Sequence, residues 1–356
     1  MDTSLFDVIC TSLFDSLSRA DQRSRGHQYL RGLLLAEGRK TVRNIAAALN
    51  GEVGEQSLHH FVANSPWDWQ PVRRSFAQAV TRLAPPAAWV VRPLVIPKMG
   101  DCSVGADPLA GESGQRRRVQ RAVGVWAVSA EVVYPVNWRL HLSSRWTDDT
   151  RRRSRAAIPA DVPAESFEEC AVEAVRTVTA RWGMPPRPVV VDVPDEYLPG
   201  TIRRLHAAGL PFLAKVPPAF PIGAETTAQH RIAALRAARR PARWDGPAPR
   251  TDLVASADVR SVNGRAPLTL LGSGRPRRVW PEELHLTNLG DVHPATLLAL
   301  SRLRRTAHRG AVETGRRVGL ADFVGRSFGG WHRHVTLASA AYALLSVGCG
   351  LPRADG

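Results

Sequence analysis

The chain has 356 residues, enough to bury a large core and to form two domains. With 44% hydrophobic and 22% charged residues it is neither a disordered nor a fibrous composition, and no apolar run approaches the length of a membrane span. Lys and Arg number 48 against 32 Asp and Glu, a net charge of +16, and this excess predicts a polyanionic partner.

Lysine occurs only at Lys40, Lys98 and Lys215, so the positive charge is almost all arginine. The planar guanidinium fork suits phosphate and guanine. The first stretch, residues 4–18, places Leu5, Phe6, Ile9, Leu13, Phe14 and Leu17 at helical spacing. A break at Ser24-Arg25-Gly26 is expected before a second helix, His27 to Ala36. Arg39 to Asn50 reads as a short basic helix with Val42, Ile45 and Leu49 inward, Gly51 to Gly54 as a turn, and Gln56 to Val62 as another helix. Two short helices about a glycine-containing turn, led by Arg39, Lys40 and Arg43, suit either a helix-turn-helix DNA reader or a packing bundle. Trp67 and Trp69 flank Asp68 at the start of a helix to about Leu83, placed either for base stacking or, better, for docking; Pro85-Pro86 marks a boundary.

From residue 88 the pattern turns to strands. Trp89 to Gly100 is the first, mostly aliphatic and β-branched, and Pro93 predicts that it is broken or lies at an edge. Arg121–Ala130 and Val132–Leu142 pair through a tight turn at Glu131, and the connection before them, with Gln115-Arg116-Arg117-Arg118, reads as a flexible basic loop. The charged run Asp148 to Arg155 reads most simply as solvated surface, with a DNA-backbone track as the alternative. Phe167 to Trp182 is a helix with Ser166 as N-cap and Gly183 as stop. Arg187 to Asp192 is an apolar strand delivering a carboxylate at its end; a helix from Pro199 and a strand over 211–216 follow. This order of strands and helices is that of a ribonuclease H-like core, an α/β (α+β) fold whose mixed sheet gathers acidic residues for metal-dependent phosphoryl transfer. Residues 217–290 read as a β-rich insertion, His293 to Val318 as a long helix carrying Glu313, and the apolar end as a last helix to about Val347. The expected domains are 1–84, helical and the candidate DNA-binding part; 85–216 with 291–348, the core; and 217–290, the insertion.

Cys10, Cys102, Cys170 and Cys349 are scattered without CxxC spacing, which predicts free thiols in a reducing cytoplasm, and the first ten residues do not have the pattern of a signal peptide.

The blocks Tyr29-Leu-Arg-Gly-Leu-Leu, Gln56-Ser-Leu-His-His-Phe-Val, Ser65-Pro-Trp-Asp-Trp-Gln-Pro-Val-Arg73, Trp138-Arg-Leu-His-Leu and Gly325-Arg-Ser-Phe-Gly-Gly-Trp-His-Arg-His-Val-Thr-Leu337 run in order over almost the whole chain. Together they resemble the IS701-type transposases of the DDE superfamily. The resemblance implies an Asp, Asp, Glu triad holding two metal ions that activate water or a DNA 3′-hydroxyl. Asp192 matches the second Asp and Glu313 the Glu, but the first Asp position falls on Arg92 and Pro93. The lysine usual two residues after the glutamate is Gly315. Loss of the bridging carboxylate implies no metal and no cofactor, and a transposase-derived, nucleoid-associated protein that binds double-stranded DNA without cutting it, such as a transcriptional regulator. Arg39, Lys40, Arg43, Arg116, Arg117 and Arg118 are the expected phosphate contacts. The rival is an active transposase using Mg2+ or Mn2+ with Asp101 or Asp107 as substitute ligand; a third reading is a remnant or protein scaffold that binds no DNA. His332 and His334 have the spacing of a ligand pair, with a structural or DNA-facing role favoured, and His59 and His60 are expected to divide between interior and surface. A homodimer is expected only if the DNA site is an inverted repeat, and no coiled-coil pattern supports one.

Overall fold

The structure, a computed structural model, describes residues 5–110, 116–223, 226–244, 250–259 and 267–348. It opens with α1 (Leu5–Phe14), α2 (Ala20–Leu35), α3 (Val42–Ala47), α4 (Glu55–His59) and α5 (Trp69–Leu83). The expected break at Ser24–Gly26 is absent, and α2 runs straight through it. Gly26 is there for packing: a Cβ on it would lie 2.5 Å from Cε1 of Phe14, so the glycine lets α1 and α2 approach. The Thr41 hydroxyl caps α3 by accepting from the Asn44 amide, 3.1 Å. A π-helical turn, His60–Asn64, continues α4, and His59 and His60 are both exposed rather than divided between core and surface.

β1 (Ala88–Lys98), β2 (Ala106–Ala110), β3 (Arg116–Val128) and β4 (Val133–Leu140) follow, then α6 (Ser144–Thr147), α7 (Thr150–Arg155) and α8 (Phe167–Arg176). After these come β5 (Val189–Val191), α9 (Leu198–Ala207), β6 (Phe212–Val216), α10 (Ala228–Ala233), β7 (Arg240–Trp244), β8 (Arg250–Val259), β9 (Leu268–Gly274), β10 (Glu283–Thr287), α11 (Pro294–Arg317) and α12 (Phe328–Ser346). The chain forms two compact units, one of residues 1–86, 92–185 and 307–356, the other of residues 87–91 and 186–306. Both β1 and α11 divide between them.

In the first unit β3 is the organising strand, with neighbours in the order β2-β3-β1 and with β4 also paired to it. Arg116 to Arg118, expected in a flexible loop, instead begin β3, paired antiparallel with Pro108 to Ala110 of β2. Farther along, β3 pairs with β4, Ala122 opposite Leu140. Gly124 makes room there for two indoles, since a Cβ would lie 2.7 Å from the Trp138 ring and 2.8 Å from Trp126. α12 is buried along most of its length and packs on β4, α2 and α5. The Ser166 capping box opens α8 as the sequence requires.

At the centre of this unit stands Arg73 of α5, wholly buried. Its Nε donates to Thr336 Oγ1 at 2.9 Å, Nη1 to the Trp138 carbonyl at 2.6 Å and to Asn137 Oδ1 at 3.3 Å, and Nη2 to the His332 carbonyl at 2.9 Å. The guanidinium also lies 4.3 Å from the Trp69 ring centroid, and Trp69 stacks on His332 at 4.0 Å. Burial brings the Arg73 pKa down to about 9, so the group remains a cation at neutral pH. Trp69 is thus a packing residue. His334 is equally internal, between the Tyr29 hydroxyl at 2.9 Å and the Gly319 carbonyl at 2.8 Å, and Trp331 is wholly buried. The histidine pair is structural, and burial holds both imidazoles below their ordinary pKa.

The second unit is a mixed sheet in the order β1-β5-β6-β10-β9-β8-β7. β5 is parallel to β1 and to β6; from β6 onward every pairing is antiparallel. The strands of the expected insertion therefore extend the sheet through β10. β1 is neither broken nor at an edge, contrary to the expectation from Pro93. Its ladder with β5 is complete at Val91, whose carbonyl accepts from Asp192, so no donor is called for at Pro93.

Replacing Arg73 with Met should leave several buried acceptors unsatisfied, at a cost of about 3 kcal/mol. Urea unfolding should show that loss as a lower midpoint at unchanged slope; a wild-type midpoint would contradict the keystone role.

Candidate functional site

In the first unit Arg92 is buried on β1, and its Nη2 lies 2.9 Å from Nδ1 of His308 on α11. A guanidinium has only donors, so the imidazole nitrogen accepts. Glu313 is exposed, farther along α11. Gly315 is buried, and a Cβ there would lie 3.1 Å from Leu320. The two substitute ligands are differently placed. Asp101 is exposed and pairs with Arg152 at 3.4 Å, and the Cys102 thiol and nearby arginines lower its pKa. Asp107 is buried on β2.

In the second unit Asp192 leaves the C-terminal end of β5, the position from which a parallel strand presents a side chain to a ligand crevice. The short run Val189–Val191 is buried on both faces, as a strand held between β1 and β6 must be. Asp192 Oδ1 accepts from Nη1 of Arg304 on α11 at 3.2 Å. Both side chains line a cleft of about 350 Å³ together with Asp195, Lys215, Gln229 and Glu283. Lys215 donates to Glu283 at 3.0 Å, and Arg305 lies 3.7 Å from the same carboxylate. Burial opposes ionisation of Glu283, but the bond from Lys215 and the surrounding cations bring its pKa below the ordinary value. His285, opposite Lys215 in the β6–β10 ladder, is fully buried, and desolvation lowers its pKa to about 4.

The expected DNA contacts do not share one environment. Arg39 and Arg43 are exposed, Arg39 lying 3.8 Å from Asp322. Lys40 is not a surface cation: only 5% exposed, it gives its ammonium to the Ala36 carbonyl and its amide to Asp322. Burial lowers its pKa. The apolar stem of Lys40 fills the space over Gly319, which is why it turns inward. Arg117 is exposed on β3 and Arg118 half-buried, while the Arg116 side chain lies outside the described residues.

Sequence reading missed Arg304 and His308. The run of arginines in their helix was visible, but the partners lie 112 and 216 positions away, and no local pattern carries such a pairing. Among the described residues no group of three or more His, Cys, Asp or Glu side chains is arranged to hold a metal ion, and no helix is long and apolar enough to cross a membrane. The family model for DDE superfamily endonucleases matches residues 12–265. No curated protein matches the chain.

Because burial holds His285 neutral down to about pH 4 while the unfolded side chain protonates near 6.5, its contribution to stability is complete above about pH 6.5 and is lost as pH falls toward 4. The urea midpoint of the wild type should therefore drop between pH 7 and pH 4.5 more than that of His285→Leu; equal drops would show that His285 does not titrate on unfolding.

Proposed function

The chain belongs to the DDE superfamily of endonucleases, and from that membership we propose that it is an IS701-type transposase derivative that binds double-stranded DNA, no longer cleaves it, and regulates transcription on the chromosome. The observation that carries the proposal is charge: a guanidinium, Arg92, stands where the resemblance expects the first carboxylate, and the match to the second, Asp192, is held by Arg304 at 3.2 Å.

Enzymes of the superfamily generally use Mg2+ or Mn2+. Two such ions need several carboxylates at close range to offset their charge, and these residues do not fit that demand. Arg92 brings a positive charge, and Asp192 already accepts from a cation. Of the two substitutes for the first ligand, Asp101 is tied to Arg152 and Asp107 is buried on β2. The net charge of +16 and the exposed Arg39, Arg43 and Arg117 support retention of polyanion binding.

Purified protein should shift linear duplex DNA in a gel, with affinity falling steeply as salt rises, and should leave supercoiled plasmid intact in Mg2+ or Mn2+. Arg43→Ala should weaken binding and lower the salt slope by about one phosphate contact. Metal-dependent nicking that disappears in Asp192→Ala would restore the active transposase; absence of any DNA binding would leave the scaffold reading.

A further inference from the structure

α4 and its π-helical continuation form one helical rod, Glu55 to Asn64, preceded by α3. Leu58, Phe61 and Val62 face inward and are buried. The outer face carries Gln56, His59, His60 and Asn64, all exposed, spaced so that they fall along one side of the helix. We propose that this stripe enters the major groove of double-stranded DNA and reads base edges there. The proposal rests on the DNA-binding reading above and adds which element enters the groove and what it recognises.

The chemistry of the stripe distinguishes it from a merely solvated face. Solvated helix faces are mostly Lys, Glu, Arg and Asp, whereas here two amides and two imidazoles stand together. Asn and Gln can pair with both N6 and N7 of adenine, and imidazole can donate to or accept from base edges. The rod is about 15 Å long at 1.5 Å per residue, long enough to lie across a groove about 12 Å wide. None of the large exposed apolar residues lies between positions 36 and 82, so the face lacks the anchors on which a protein partner would rely.

Charge is arranged to match. Arg39 and Arg43 are exposed on the segment and helix that lead into the rod, where a reading helix needs phosphate contacts to set its register. Of the neighbouring acids, Glu52 is engaged with Arg31 at 2.9 Å and Glu55 lies in the first turn of α4, where a carboxylate favours the helix dipole. The loop of residues 48–54 is longer than the turn of about three to four residues in the usual helix-turn-helix, so α3 is offset from the standard arrangement and the inference concerns the second helix.

The rod is also fixed in place. Arg333 of α12 donates to the Val62 carbonyl at 3.2 Å and the Trp67 carbonyl at 3.0 Å, Ser327 to the Ala63 carbonyl at 3.3 Å, and the Trp67 indole to the Phe61 carbonyl at 2.8 Å. The wider π turn leaves carbonyls that these side chains satisfy. A helix clamped at its C-terminal end presents its outer side chains without having to order them on binding.

The test selects bound duplexes from a randomised pool, then measures affinity for the selected duplex and for a scrambled one of the same composition. The full-length double variant Gln56→Ala/Asn64→Ala should lose about ten-fold or more of the preference while keeping wild-type affinity for the scrambled duplex, which itself reports an intact fold. Arg43→Ala should weaken both duplexes alike. A double variant that keeps the full preference overturns the inference, as does a wild type that binds all duplexes equally; in both cases the DNA-binding function stands. Failure of the wild type to bind any duplex removes that function and the inference with it.

Discussion

A cation whose hydrogen-bond partners include no carboxylate holds the first unit together. Arg73 is completely buried, and its donors reach a hydroxyl, a side-chain amide and two backbone carbonyls, while its flat face meets Trp69. An isolated buried charge costs several kcal/mol, and here the offset comes from hydrogen bonding on every donor nitrogen, with Asp68 acting on it through space. The acceptors belong to β4 and α12, so one side chain of α5 joins a helix, a strand and the largely buried α12. His332 answers in kind: burial and then Arg73 keep its imidazole neutral, which suits its nitrogen at 3.3 Å from Nη2 to accept.

From α12 the same logic reaches outward. His334 ties α2 to α12 through Tyr29, and Arg333 and Ser327 tie the end of the α4 rod to it. The polar residues of α12 are thus spent on holding other helices by their side chains and carbonyls. The surface that results carries amide and imidazole groups with exposed arginines nearby.

In the second unit cations sit against carboxylates: Arg304 on Asp192, Lys215 and Arg305 about Glu283, and Arg302 on Asp252 at 3.1 Å. Such pairs offset the burial of acidic groups after β5, in β8 and at the start of β10. A metal-binding crevice needs the opposite arrangement, carboxylates whose charge is left for the ion.

The sequence by itself determined the local elements wherever one chemical signal dominated. Ser166 with Glu169 set the start of α8, the valines before Asp192 set β5, and the blocks from Tyr29 to Leu337 pointed to the DDE superfamily. It failed where the deciding contact was distant. Gly26 reads as a breaker until Phe14 is seen against it, and Pro93 reads as an edge until the ladder is seen to end at Val91. Lys40 reads as a surface cation until its stem is found over Gly319. Arg116 to Arg118 read as a loop because β2, their partner, has no strong pattern of its own. The tertiary structure alone decided the pairing of Arg92 with His308 and of Asp192 with Arg304, because residues brought together by sheet order and helix placement leave no periodicity in the chain. Composition and periodicity report what a residue prefers; which neighbour it meets depends on how the whole chain packs.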